Sequence, residues 1–282
     1  MVSKLDVRPS PIAGQWYPAD PKKLAERIDH FIRAASLPSL EGDIVAVMVP
    51  HAGHIYSGPV AGYAFAALQG LSPDVVAVIS PMHYPYSQPL LSSAHEAYET
   101  PLGILKIDQD LVDQLDAALR EELGFGLAYV KNDPEHSLEI ELPFLQHIFG
   151  NNFRLLPVMV REQDERVSQA LGSALAKTLQ GKNALLVAST DLSHFYTQET
   201  AKALDMELLR RVEAFDPVGV MRAEEEGKGF ACGRGALAAV LYAAKGLGAE
   251  QVKVLHHATS GDVTGDFSQV VGYGAAVVLR PK

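Results

Sequence analysis

A chain of 282 residues that is 48% hydrophobic and 21% charged has an ordinary globular composition, and it fits a single α/β domain over residues 1–282. Its formal net charge of −10, with no basic block, argues against nucleic-acid phosphate as a partner. No apolar run reaches the ~18 residues of a membrane span, and the single cysteine, Cys232, excludes an intrachain disulfide, so a cytoplasmic protein is expected.

The first twenty residues lack the apolar core of a secretory leader. Pro9, Pro11 and Pro18 make them an irregular arm, with Trp16 as its core anchor. Asp20 caps an expected helix over Pro21–Ala35, where Leu24, Ile28, Phe31 and Ile32 form an apolar stripe of helical period. The apolar run Ile44–Val49 reads as a buried parallel strand. It ends in PHAGHIYSG, which places His51 and His54 at the strand's exit, and a small-residue helix follows near Pro59–Leu68. A second apolar run, Val75–Ile79, exits into Ser80-Pro81-Met82-His83.

Residues 84–105 carry turn signals and read as a hairpin or long loop, followed by a helix over Gln109–Leu119. Asp133, Pro134 and Glu135 have the order of a helix N-terminus, and Pro143 is expected to kink that helix. Phe153–Val160 is a strand and Glu162–Leu179 a helix. The short strand Ala184–Ala188 exits into Ser189-Thr190-Asp191-Leu192-Ser193-His194. A helix over Thr200–Phe215, the Gly-rich turn around Cys232, an Ala-rich helix to about Lys245 and strands at Val252–Leu255 and Val270–Leu279 complete the chain. The alternation gives an α/β sandwich with a largely parallel central sheet flanked by helices.

Three strand exits therefore bear histidines: His51 with His54, His83, and His194 with Asp191. In a parallel sheet these exits share one edge, where ligands bind. Imidazole, carboxylate and thiolate are the usual ligands of a borderline transition metal, so the pattern points to a metal site. Cys232 has two readings: a thiolate favoured by a helix N-terminus, or a small buried hydrophobe. Asp191 either orients an imidazole or ligates directly. The pair His136 and Glu139, three apart on one helix face, has two readings: Glu139 orients His136, or the pair serves a surface or capping role. The chain has no G-x-S-x-G elbow, Walker A sequence or dinucleotide fingerprint, and adjacent Ser193 and His194 do not make a triad.

The phrases AGQWYPAD, PHAGHIYSG, SPMHY, LSSAHEAYETPLG, DPEHSLEIELPF, LPVMV, STDLSHF and ACGRGAL occur in an order that resembles the Memo family over nearly the whole length. That family is similar in fold to the class III extradiol dioxygenases. The resemblance implies a metal site of His51, His83 and Cys232, with Asp191 and His194 nearby and with Fe(II) or Cu as cofactor. A thiolate is softer than the carboxylate of the ring-cleaving enzymes, which leaves Zn open as well. It also implies redox activity, and in animal members phosphotyrosine-peptide binding. On this reading His194 or His136 is the acid/base, Asp191 completes or orients the shell, and His54 and Glu135 line the pocket. Two other functions are compatible with the same residues: a non-enzymatic peptide- or small-molecule-binding adaptor, and a zinc-dependent hydrolase.

Overall fold

The computed structural model describes residues 5–282. The N-terminal arm contributes a two-residue strand, β1 (Val7–Arg8), before helix α1 (Pro21–Ala34), whose first turn is capped by the Asp20 carboxylate accepting from the Lys23 amide at 2.8 Å. Strand β2 (Asp43–Val49) leads into α2 (His54–Ala67), and β3 (Val75–Pro81) follows. The turn-rich stretch after it forms three strands: β4 (Leu90–Ser93), β5 (Ala97–Thr100) and β6 (Gly103–Lys106). Next come α3 (Gln109–Leu123), β7 (Ala128–Val130), a 3-10 turn over Glu139–Glu141, α4 (Leu142–Phe149), β8 (Arg154–Val160) and α5 (Glu165–Leu179). The last third contains β9 (Ala184–Ser189), β10 (His194–Tyr196), α6 (Gln198–Glu213), α7 (Pro217–Arg222), α8 (Arg234–Gly246), β11 (Gln251–Thr259), α9 (Gly261–Thr264) and β12 (Val270–Arg280).

The result is a mixed α/β single-domain fold with one large sheet flanked by helices. Its strand order is β10-β12-β2-β9-β3-β8-β4-β7, with β11 on the other part of β12. The four central strands β2, β9, β3 and β8 are parallel, whereas β12 and β4 join them antiparallel. The central strands are almost wholly buried, in keeping with their unbroken apolar runs. One helix group, α1, α2 and α4, packs together, and a second is built on α5 and α8. Close approach in the first needs Gly62, where a Cβ would lie 2.5 Å from the Phe31 carbonyl oxygen. Small β1, β5 and β6 form a separate sheet.

Two local expectations fail for the same reason. Asp133 does not cap a helix, and Pro143 does not kink one; residues 132–136 are loop, and Pro143 sits in the first turn of α4. The Asp133 carboxylate is taken by the guanidinium of buried Arg8, which accounts for the lost cap. Glu139 likewise turns to Arg8 and Tyr17 rather than to His136. Helix α2 begins at His54, five residues before Pro59, so His54 is its first residue instead of part of an open loop. Among the described residues no helix is long and apolar enough to cross a membrane.

Candidate metal centre

Strand order places the site. Strand β9 lies between β2 and β3, and all three run in the same direction, with Val49 beside Ser189 and Ile79 beside Ala188. Their carboxyl ends therefore deliver His51, Asp191 and His83 to one edge. The Thr190 amide donates to the Val49 carbonyl at 2.8 Å and closes the β2 and β9 exits together. Cys232 arrives from the turn before α8. There Gly233 is pressed so close that a Cβ would lie 2.6 Å from the Ser189 carbonyl oxygen.

Donor atoms of His51, His83 and His136 all lie within 4.8 Å of one another. Cys232 falls outside that set but is next to it, with Sγ 3.1 Å from His51 Nε2. Asp191 reaches the same nitrogen at 4.0 Å through Oδ2, while its Oδ1 accepts from the His51 amide at 2.7 Å. His51, Cys232 and Asp191 are thus together, as are His83, Glu135 and His136.

The hydrogen-bond partners specify which imidazole nitrogens are free. Ser189 Oγ has one proton and donates it to the acceptor-only carbonyl of Ser137 at 2.7 Å. The buried Glu141 carboxyl, pushed well above the usual range by burial, is a second acceptor for the same hydroxyl proton at 2.8 Å. His51 Nδ1, 3.0 Å from the same oxygen, is then the donor of the third bond, which leaves the Nε2 lone pair facing Cys232. His83 is fixed in the same sense: Glu135 accepts from its Nδ1 at 2.9 Å and from its amide at 2.6 Å. Glu135 thereby holds the His83 ring through Nδ1 and leaves Nε2 as the nitrogen it does not engage.

Burial alone pushes the Glu135 carboxyl up, but the His83 hydrogen bond, the nearby imidazoles and the Ser137 amide reverse this, and it stays well below the usual carboxylate range. Burial pulls the His136 imidazole down to about 4, against the opposing charge of Glu135, and burial with the neighbouring imidazoles also holds His51 well below the usual imidazole range. Burial pushes Asp191 up to about 7 despite the hydrogen bonds from the His51 and Ala52 amides. The expectation of a dipole-favoured thiolate at Cys232 is not met in the bare site: burial, reinforced by Asp191, pushes the thiol up.

His194 stands at the rim, half-buried. Its Nδ1 donates to the Leu192 carbonyl at 2.7 Å, so Nε2 carries the lone pair, and burial draws its pKa down. His54 is not in the cluster. It is buried against Tyr17 and Phe144, with Nε2 3.4 Å from the Ile140 carbonyl and Nδ1 without a partner. Burial lowers it to about 4. A group depressed in the fold binds its proton more readily when unfolded, so stability is lost as pH falls from about 6.5 towards 4. His54→Leu is expected to remove roughly 2 kcal/mol of the loss between pH 7 and pH 5, read from urea unfolding at the two pH values. An unchanged acid limb would rule out this role.

Sequence reasoning did not reach four contributors. Trp16, expected only as a core anchor, has its ring 4.1 Å from that of His136. Ser189, whose hydroxyl proton is shared by the Ser137 carbonyl and Glu141, holds His51 through Nδ1. Arg8 donates to the Glu135 carbonyl at 2.8 Å and ties down the loop carrying His136. A polar Ser189 closing an apolar strand was the one available signal. Glu135→Gln keeps the shape but weakens the hold on His83. It is expected to cost 10- to 100-fold in metal affinity with little change in stability, checked by competition with a chelator.

Comparison with known proteins fits this geometry. The family model described as Memo-like protein matches residues 8–277. The chain belongs to the Memo family. A MEMO1 family protein of Nitrosopumilus maritimus is 33% identical over 95% of this chain and 98% of its own. One from Methanopyrus kandleri is 34% identical over the same shares, and one from Methanothermobacter thermautotrophicus is 36% identical, again over 95% and 98%. Among solved structures, an uncharacterized Escherichia coli K12 protein matches with a TM-score of 0.48 and 13% identity, over 83% of this chain and 100% of that one.

Proposed function

We propose that this Memo-family protein is a metal-dependent oxidoreductase in which His51, His83 and Cys232 hold one divalent transition metal, with Fe(II) or Cu favoured over Zn. The supporting observation is a pair of imidazoles with ring centroids 5.3 Å apart, each with Nδ1 already engaged, and a thiol 3.1 Å from Nε2 of His51. That separation suits two donors on one ion, at bonds of ~2.1 Å to nitrogen and ~2.3 Å to sulfur. His136 is near enough to be a donor. However, its ring lies within 13° of parallel to that of His83, whereas the His51 ring is at 80° to His83. Stacked rings direct in-plane lone pairs along separate planes, which favours Cys232 over His136 as the third ligand.

The metal would supply Lewis acidity and one-electron chemistry at its open positions. Charge on it would also offset the burial that keeps the bare Cys232 protonated. The chain's own work is positioning and proton transfer. His194, neutral near pH 7 and with Nε2 free, takes a proton from an acidic substrate hydroxyl, and His136 is the second neutral acceptor. Asp191 fixes the backbone of His51 and Ala52, so the β2 exit cannot swing away. The ligand is a small molecule in this reading.

The test is oxygen uptake by anaerobically reconstituted protein across a panel of catechols. Metal-dependent uptake that falls 10²- to 10⁴-fold in His194→Ala supports the reading. Zinc content with ester or amide turnover and no oxygen consumption would replace it with the hydrolase.

A further inference from the structure

Beside the histidine cluster runs a groove of about 690 Å³ that no part of the proton chemistry uses. We propose that it binds a flat apolar ring, neutral or cationic, and that the substrate of the adjoining centre carries such a ring; the second half rests on the function proposed above.

Aromatic side chains wall the groove. Trp16, Tyr56, Phe195 and Tyr273 line it, with Val271 of β12 beside His194 of β10. Phe195 is 69% exposed and Tyr56 42%, which is costly for such large apolar surfaces unless they meet a ligand. Phe195 is moreover held at φ 65°, in the left-handed region that a bulky residue rarely adopts. This backbone strain sets Phe195 immediately after His194. Four aromatic rings lining one groove suit a planar guest, since offset stacking rewards aromatic faces.

Charge narrows the class. Asp266 is the single charged side chain among the lining residues, and no Lys or Arg faces the groove. An anionic guest would meet a carboxylate and no counter-charge, whereas a cationic one would meet aromatic faces and a negative group. Size is also right, because small-molecule pockets run from ~300 to ~1,000 Å³. Continuity with the cluster comes through shared residues: Trp16 packs on His136 as well as lining the groove, Ala52 follows His51, and Phe195 follows His194. A larger cavity of about 770 Å³ near Arg161 and Arg234 has no lining residue in the cluster and balances acids against bases, so it points to no ligand.

Trp16 is the chain's only tryptophan, so its indole N–H is a unique resonance in a nitrogen-resolved NMR spectrum. The experiment titrates 2-naphthol and 2-naphthoate into the full, metal-free chain. The expected result is a saturable shift of the indole signal by 2-naphthol, weakened roughly two- to tenfold in Phe195→Ala and in Tyr56→Ala. Both side chains are exposed enough for the variants to fold. The carboxylate probe is expected to bind at least about threefold more weakly. Absence of a saturable shift, equal affinity in both variants, or tighter binding of 2-naphthoate would overturn the proposal. Because no metal is present, such a failure would leave the metal centre untouched, and loss of metal binding elsewhere would leave the groove untouched.

Discussion

Arg8→Met is expected to lower the unfolding free energy by about 3–5 kcal/mol, the cost of stranding buried charge. Arg8 is 1% exposed, and its guanidinium pairs with Asp133 at 2.9 Å and Glu139 at 2.5 Å. It also donates to the carbonyls of Asp133 and Glu135 at 2.9 and 2.8 Å. Its removal leaves two carboxyls in the core without a cation and frees the loop that carries Glu135 and His136. Neutralising the stranded partners in Arg8→Met/Asp133→Asn/Glu139→Gln should recover part of the loss, as deletion of a whole buried network costs less than deletion of one member. Urea unfolding of the three proteins checks this. A change under about 1 kcal/mol in the single variant would show that the arm is not tied to the core through Arg8.

The second large effect concerns binding. His51→Ala removes the proposed ligand whose Nε2 borders both Cys232 and Asp191, and Cys232→Ala removes the soft donor proposed beside it. Each is expected to weaken transition-metal binding by at least about 100-fold, more than the loss of an orienting partner such as Glu135. His136→Ala should cost less if the stacked ring serves as a proton acceptor. The ordering of the three, measured by chelator competition under anaerobic conditions, therefore separates a two-His-one-Cys site from a three-His site. Equal losses for His136 and Cys232 would assign both as ligands.

Much of the site could be read from periodicity. Apolar runs ending in a polar phrase located β2, β3 and β9, and the rule that parallel strands share an exit edge brought His51, His83 and Asp191 together before any coordinates. Long-range electrostatics were not legible. Nothing local in DPEHSLEIE distinguishes a helix cap at Asp133 from a partner for Arg8, 125 residues away. Once Arg8 claims Asp133 and Glu139, the helix start moves to Leu142 and the loop is free to aim Glu135 at His83. His54 illustrates the opposite limit. It shares a strand exit with His51, yet the early start of α2 turns it into the aromatic core. Trp16 packs against the core as expected, but its contact with His136 was not legible, because an irregular arm gives no period from which a facing residue can be inferred.

Metal stoichiometry decides whether the proposed centre holds an ion. Protein prepared without oxygen and analysed for Fe, Cu and Zn is predicted to carry about one ion per chain, with less than about a tenth of that in His51→Ala and in His83→Ala prepared in parallel. Wild-type protein that takes up none of the three metals, or variants that retain the wild-type content, would contradict it.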